Sequence, residues 1–124
     1  MISDESFPKE EHLLKTRDYR NVYKKGKAVF AGDGKRDALI LYSLLNGLEK
    51  NRFGLSVSSR SIKLATRRNR FKRILREVYR RTKGELKKGY DMVMIVKKDT
   101  AKPVSYTAAK ALFLELARKS GLLS

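Results

Sequence analysis

Residues 92–96 read Met-Val-Met-Ile-Val, five apolar side chains in a row with no polar alternation. A strand with one wet face alternates apolar and polar residues, so an unbroken run calls for a sheet interior covered on both faces. The rest of the chain has to supply that cover. At 124 residues it has the length of one domain with a modest core. Residues 1–12 read as a loose leader in which Pro8 blocks early regular structure, and 13–124 as a single folded domain. "TRDYRNVYKKG" predicts a short helix with Thr16 as N-cap and Gly26 as its stop. "KAVFAG" predicts a strand, "GDGKRD" a turn, "ALILYSLL" a second strand and "NGLEKN" another turn. "RFGLSVS" predicts a third strand, with Phe53, Leu55 and Val57 alternating against Gly54, Ser56 and Ser58. Ser105 can cap a last helix, running to about Lys119 and ended by Gly121. The order α-β-β-β-α-β-α predicts an α+β fold, with a helix crossing between two strands of a small mixed sheet.

That crossing helix is "RRNRFKRILREVYRR", 67–81. Phe71, Ile74, Leu75, Val78 and Tyr79 form one apolar stripe at i, i+3, i+4, i+7 and i+8. Arg68, Lys72, Arg76 and Arg80 line up on the far side, with Asn69 and Arg73 beside them and Arg67 and Arg70 in the same cluster. Glu77 is the one acid, placed to pair with Arg73 or Arg81. A solvated helix face mixes signs, whereas this one repels itself. Arg outnumbers Lys seven to one, and its planar fork matches phosphate and stacks on bases. Arg60 and Lys63 before the helix, and Lys83, Lys87 and Lys88 after it, extend the excess. The whole chain carries a formal +17. Self-repulsion of that size works against folding, so it points to a polyanionic partner: nucleic acid first, an anionic membrane second. The face reads as a phosphate-binding surface and the chain as an RNA-binding domain.

Tyr19 and Tyr23 share one face of the first helix, and Tyr42 lies in the second strand. They fit either core packing or a cleft in which rings stack on single-stranded bases. Tyr rather than Phe at all three favours a partly wet setting. No catalytic constellation is visible. His12, the only His, falls in the leader and reads as exposed and inert. There is no Cys, no P-loop and no G-x-S-x-G. Asp33, Asp37, Asp91 and Asp99 fall at turns and strand ends. There is no N-terminal signal pattern and no apolar run long enough to span a bilayer, which reads as a soluble, cytoplasmic protein without a membrane partner.

"ATRRNRFKRILREVYR", from Ala65 to Arg80, resembles the signature of the bacterial ribonuclease P protein family. That helix carries Ala-x-x-Arg-Asn-Arg-x-x-Arg-x-x-Arg-Glu. Ala65, Arg68, Asn69, Arg70, Arg73, Arg76 and Glu77 occupy those positions, and Lys72 also matches. "RDYRNVYKKG", "RFGLSVS" and "GYDMVMIV" resemble the family's first helix and the strands on either side of the signature. The resemblance implies a small α/β sandwich with a left-handed crossover, against the usual hand. It implies a protein cofactor of a ribozyme. The partner RNA would cleave precursor tRNA with magnesium ions, none held tightly by the protein, to make the mature 5′ end. The signature helix and the loop before it would face the catalytic RNA, and Tyr19, Tyr23 and Tyr42 the single-stranded 5′ leader. No protein partner is implied. One departure stands out: "SSRSIKLA" lacks the family's loop glycine and is one residue longer, with Ser59 and Ser61 near positions where the family tends to place Lys or Arg. Two rival expectations are a ribosomal-type structural RNA-binding protein, and a stand-alone magnesium nuclease using Asp33 or Asp37.

Overall fold

The structure, a computed structural model, describes residues 7–33, 36–97 and 105–123. Three helices and four strands follow the expected order. They are α1 (Thr16–Lys25), β1 (Lys27–Asp33), β2 (Arg36–Leu45), β3 (Arg52–Val57), α2 (Ala65–Thr82), β4 (Tyr90–Val96) and α3 (Tyr106–Lys119). The strands form one sheet in the order β1-β2-β4-β3. β4 pairs antiparallel with β2 and parallel with β3, so α2 is the crossover between two parallel neighbours. The apolar run is thus the central strand, and Met92, Val93, Met94 and Val96 are all buried.

Strand parity splits the sheet into two faces. On one, Val29, Ala31, Leu39, Leu41, Phe53, Val57, Met92, Met94 and Val96 meet α2 and α3 in the main core. Here the stripe of α2 is buried as expected through Phe71, Leu75, Val78 and Tyr79. Tyr79 stacks flat on Phe53 at 4.2 Å between ring centroids. Ser105 caps α3 by accepting from the Ala108 N–H at 3.1 Å, and Gly121, at φ +77°, ends the helix in the left-handed region. On the other face α1 buries Val22 against Val93 and Leu13, with Tyr19, Tyr42, Leu44 and Ile95 around them.

Four local expectations need correction. Lys15, not Thr16, is the N-cap residue of α1, and no side chain caps that end. The turn expected at 32–37 is shorter, because Gly32 and Asp33 pair with Asp37 and Arg36, while Gly34 and Lys35 lie outside the described residues. The leader is not loose from residue 7 onward. Phe7 stacks on His12 at 3.7 Å and leans on Tyr79 at 5.2 Å, giving an apolar side chain in a polar segment somewhere to go. His12 is accordingly half-buried, with its Nε2 bonded to the Phe7 carbonyl at 3.1 Å. Residues 1–6 lie outside the described set.

One polar network ties α1 to the sheet. Arg52 on β3 donates through Nε and a terminal nitrogen to both carboxylate oxygens of Asp91 on β4, at 2.8 and 2.6 Å. Its other terminal nitrogen lies 3.6 Å from Asp18 of α1. Asn46 donates a third bond to Asp91 at 2.9 Å. The Asp91 side chain is 7% exposed, so its charge depends on these partners. Arg52→Ala should therefore cost about 3 kcal/mol and lower the melting temperature. A loss under about 1 kcal/mol, the ordinary worth of an exposed pair, would show that water already serves Asp91.

Candidate nucleic-acid interface

Burial of the apolar stripe decides which side of α2 faces outward. Asn69, Arg70, Arg73 and Arg76 are exposed, Lys72 half-buried. Among the described residues, none of these four cations is in an ion pair. Arg67 is half-buried, its guanidinium 5.8 Å from the centre of the Phe71 ring. Arg80 is on the expected line but committed elsewhere: Glu77 accepts from both Arg80 and Arg81, not from Arg73. Those bonds, Arg80's first, hold the Glu77 carboxyl below its usual value. The acid thus quiets the last turn of α2 and leaves Arg70, Lys72, Arg73 and Arg76 in no ion pair among the described residues. Lys83 leaves the basic face altogether, because its ammonium pairs with Glu11 at 2.9 Å in a largely buried setting.

The loop before α2 is anchored at both ends. Ser58 starts it, its hydroxyl accepting from the Ser61 N–H at 3.1 Å and its carbonyl from the Ile62 N–H at 3.0 Å. Ile62 is driven into the core at 1% exposure. Arg68 then reaches back one turn and donates to the carbonyls of Ile62 and Lys63 at 2.8 and 3.0 Å. No side chain caps the start of α2, so Arg68 is what ties the loop to the helix. Arg60 and Lys63 remain exposed on either side of that strut. The serine hydroxyls and Arg68 hold the loop's shape in a segment without glycine.

The three tyrosines do converge. Tyr23 meets Tyr42 edge-on at 5.2 Å and lies 6.4 Å from Tyr19. Tyr23 is 37% exposed, and the other two are half-buried. Burial pushes the Tyr19 hydroxyl above its ordinary pKa, against a hydrogen bond with the Leu55 backbone and the nearby Arg76 charge. Burial likewise raises Tyr23, against a bond with the Ser56 hydroxyl. Both rings are therefore neutral and anchored at the hydroxyl, and Tyr23 is the more exposed of the two. Below them the row Phe30, Ile40, Ile95 and Ser56 crosses all four strands, and Phe30 is 41% exposed. The result is an apolar floor with an aromatic wall.

Gly54 makes that wall possible. A Cβ there would collide with the Tyr19 hydroxyl and fall 2.6 Å from its Cζ. Sequence reading took Gly54 only as an outward position of a strand; the requirement comes from a helix 35 residues earlier. Arg76 matters as well, because its charge acts on Tyr19. Arg76 is thus a cation of α2 whose charge bears on the aromatic cleft.

This arrangement can hold a polyanion on α2 and stack single-stranded bases beside α1. A model of the sequence family described as Ribonuclease P matches residues 7–120. The chain belongs to the ribonuclease P protein family. The ribonuclease P protein component of Thermotoga maritima is 38% identical over 94 residues, 76% of this chain and 75% of that protein. That of Syntrophomonas wolfei is 33% identical over 116 residues, covering 94% and 92%. Among solved structures, the RNase P protein from Thermotoga maritima superimposes with a TM-score of 0.74 at 30% identity, covering 88% of this chain and 96% of that one. The Staphylococcus aureus RNase P protein shares the fold, with a TM-score of 0.76 at 23% identity and coverage of 92% and 98%.

The family's signature positions are therefore not all alike in this chain. Asn69, Arg70, Arg73 and Arg76 face outward, Arg68 is turned onto its own loop, and Glu77 is a local counter-charge. The side chains of Asp33 and Asp37 lie outside the description. Among the described residues there is no group of three or more His, Cys, Asp or Glu that could hold a metal ion, and no helix long and apolar enough to cross a membrane.

Two substitutions test this geometry. Gly54→Ala should displace the Tyr19 ring while the sheet stays folded, at about 1–3 kcal/mol for the overpacking. With burial lost, Tyr19 should titrate nearer the ordinary tyrosine value, as read by NMR; an unmoved titration would mean that the backbone yields instead. Arg68→Ala should free the loop, so amides between 58 and 64 should exchange faster while those in the second half of α2 do not. Uniform acceleration through α2 would instead make Arg68 part of global stability.

Proposed function

We propose that this chain is the protein cofactor of a ribonuclease P ribozyme. On this reading it binds the catalytic RNA through α2 and its loop. It holds the single-stranded 5′ leader of precursor tRNA against Tyr19, Tyr23 and Tyr42. The phosphodiester chemistry belongs to the RNA with its magnesium ions, in the cytoplasm where tRNA precursors are made. The protein's part is positioning and charge. Cations on α2 would offset phosphate repulsion and so reduce the magnesium the RNA needs to fold around its substrate. The cleft would add affinity only for substrates that still carry a leader, since mature tRNA has no strand to place there.

The observation that carries this reading is the coexistence of two surfaces: Arg70, Lys72, Arg73 and Arg76 of α2, in no ion pair among the described residues, and a cleft on which Tyr19, Tyr23 and Tyr42 converge. A structural RNA-binding protein needs the first surface and has no use for the second. Asn69 stands exposed among the arginines, where its amide can donate and accept at a base edge or a 2′-hydroxyl.

Reconstitution with a bacterial ribonuclease P RNA at low magnesium is the direct experiment, scored by cleavage of precursor tRNA. RNA alone and protein alone should both be inactive under those conditions; cleavage by the protein alone would sink the cofactor reading. Within the holoenzyme, Tyr23→Ala should weaken precursor tRNA binding by about 1–3 kcal/mol and leave mature tRNA binding unchanged. Equal losses on both substrates would return Tyr23 to the core. Arg73→Ala should weaken binding of the catalytic RNA and lower its log–log salt slope by about 0.9 on the duplex scale. An unchanged slope would remove Arg73 from the contact.

A further inference from the structure

The outward side of α1 is used by nothing described so far. Thr16, Arg17, Asp18, Arg20, Asn21 and Lys24 line an open depression of about 580 Å³. Arg17, Arg20 and Lys24 are exposed, and among the described residues none of them is in an ion pair. The one acid present, Asp18, is half-buried and already faces Arg52 at 3.6 Å. Three cations without counter-charges within eight residues repel one another as neighbours on a helix do.

Their direction identifies the occupant. At about 100° per residue, Val22 points into the sheet, and Tyr19 and Tyr23 form the flank beside it. Thr16, in the first turn, lies about 20° beyond Tyr23 and Arg20 about 60° beyond it, followed by Lys24 and Arg17. Going round the helix from the cleft, the surface passes from aromatic rings, past one small hydroxyl, to guanidinium and ammonium groups. A single strand whose bases stack in the cleft has to place its phosphates on a rim, and Arg20 stands on that rim. An anionic membrane fits this face less well, because Thr16, Arg17, Arg20, Asn21 and Lys24 offer no apolar side chain to insert. The catalytic RNA fits less well too, because the cations of α2 sit on a helix packed against the opposite face of the sheet.

We propose that Arg17, Arg20 and Lys24 form a phosphate track that continues the tyrosine cleft and holds the backbone of single-stranded RNA running out of it. The proposal deepens the leader-binding reading and rests on it. It makes α1 a two-sided reader, with rings on one flank for bases and cations on the next for phosphates. It also assigns affinity to leader length, because only a leader long enough to leave the cleft reaches the track.

The test uses the holoenzyme reconstituted with ribonuclease P RNA and the triple variant R17Q/R20Q/K24Q. All three side chains are exposed, and the melting temperature should match the parent. Precursor tRNA binding is measured across a salt series with long-leader, truncated-leader and leaderless substrates. For the long leader, the log–log slope should fall by about 2, three contacts at about 0.7 each on the single-strand scale. The truncated and leaderless substrates and the affinity for the catalytic RNA should not change. R17K/R20K should keep most of the slope, because a point charge suffices for a phosphate. An unchanged slope with the long leader overturns the track. So does an equal loss on all substrates, or a loss of affinity for the catalytic RNA, which would give this face to the ribozyme. Tyr23→Ala in parallel separates the two levels. If it weakens leader binding while the triple variant does not, only the track fails; if neither does, the leader-binding reading fails with it.

Discussion

Every outward cation of α2 is held in place by side chains on the helix's opposite side. Arg70, Arg73 and Arg76 repel one another, and no acid lies within the first three turns to relieve them. The helix stays down because Phe71, Leu75, Val78 and Tyr79 are buried, each worth about 1.5–3 kcal/mol on transfer from water. That gain exceeds the few tenths of a kcal/mol per like-charge pair at i, i+4. The imbalance lets the fold store positive potential on one face without unfolding. Glu77 sets the limit of that store, since it offsets one of the two charges of the last turn, where α2 approaches α3 and Arg81 lies 5.3 Å over the Tyr106 ring.

The second surface depends on a different kind of contact. α1 is ten residues long, too short to be stable alone, and no side chain caps its start. It is kept on the sheet by Val22 and by the Asp18–Arg52–Asp91 chain. At its far end the Gly26 N–H bonds the Val22 carbonyl at 2.8 Å, and a Cβ on Gly26 would fall 2.9 Å from the Ser43 carbonyl oxygen, so the exit from α1 lies flush on β2. These fixings set the height of Tyr19 and Tyr23 above the floor of the cleft. A cleft that is to accept flat bases, as proposed, would need that height fixed within about an ångström, and rigid elements achieve it better than loops.

Much of this was legible from residue order, for definable reasons. The stripe of α2 has a 3.6-residue period and the alternation in β3 a period of 2, and such patterns survive any tertiary context that leaves the element intact. The run at 92–96 announced the central strand. What stayed hidden depends on partners far apart in sequence. Arg52 meets Asp91 only because β3 and β4 lie parallel in one register. Arg68 looked like one more cation of the face, and only the loop's path shows that two carbonyls lie within its reach. Phe7 stood alone in a polar segment, so nothing local said that it would dock on Tyr79.

β3 joins the two surfaces. Phe53 points to one side and stacks on Tyr79 of the basic helix, while Gly54, one residue later, points to the other and lies under Tyr19 of the cleft. A strand cannot shift one of these without the other, because successive side chains leave the same backbone in opposite directions. Pressure on α2 therefore reaches the cleft through a single peptide unit. Arg76 adds a weaker electrostatic influence, since its charge opposes the rise that burial imposes on the Tyr19 hydroxyl.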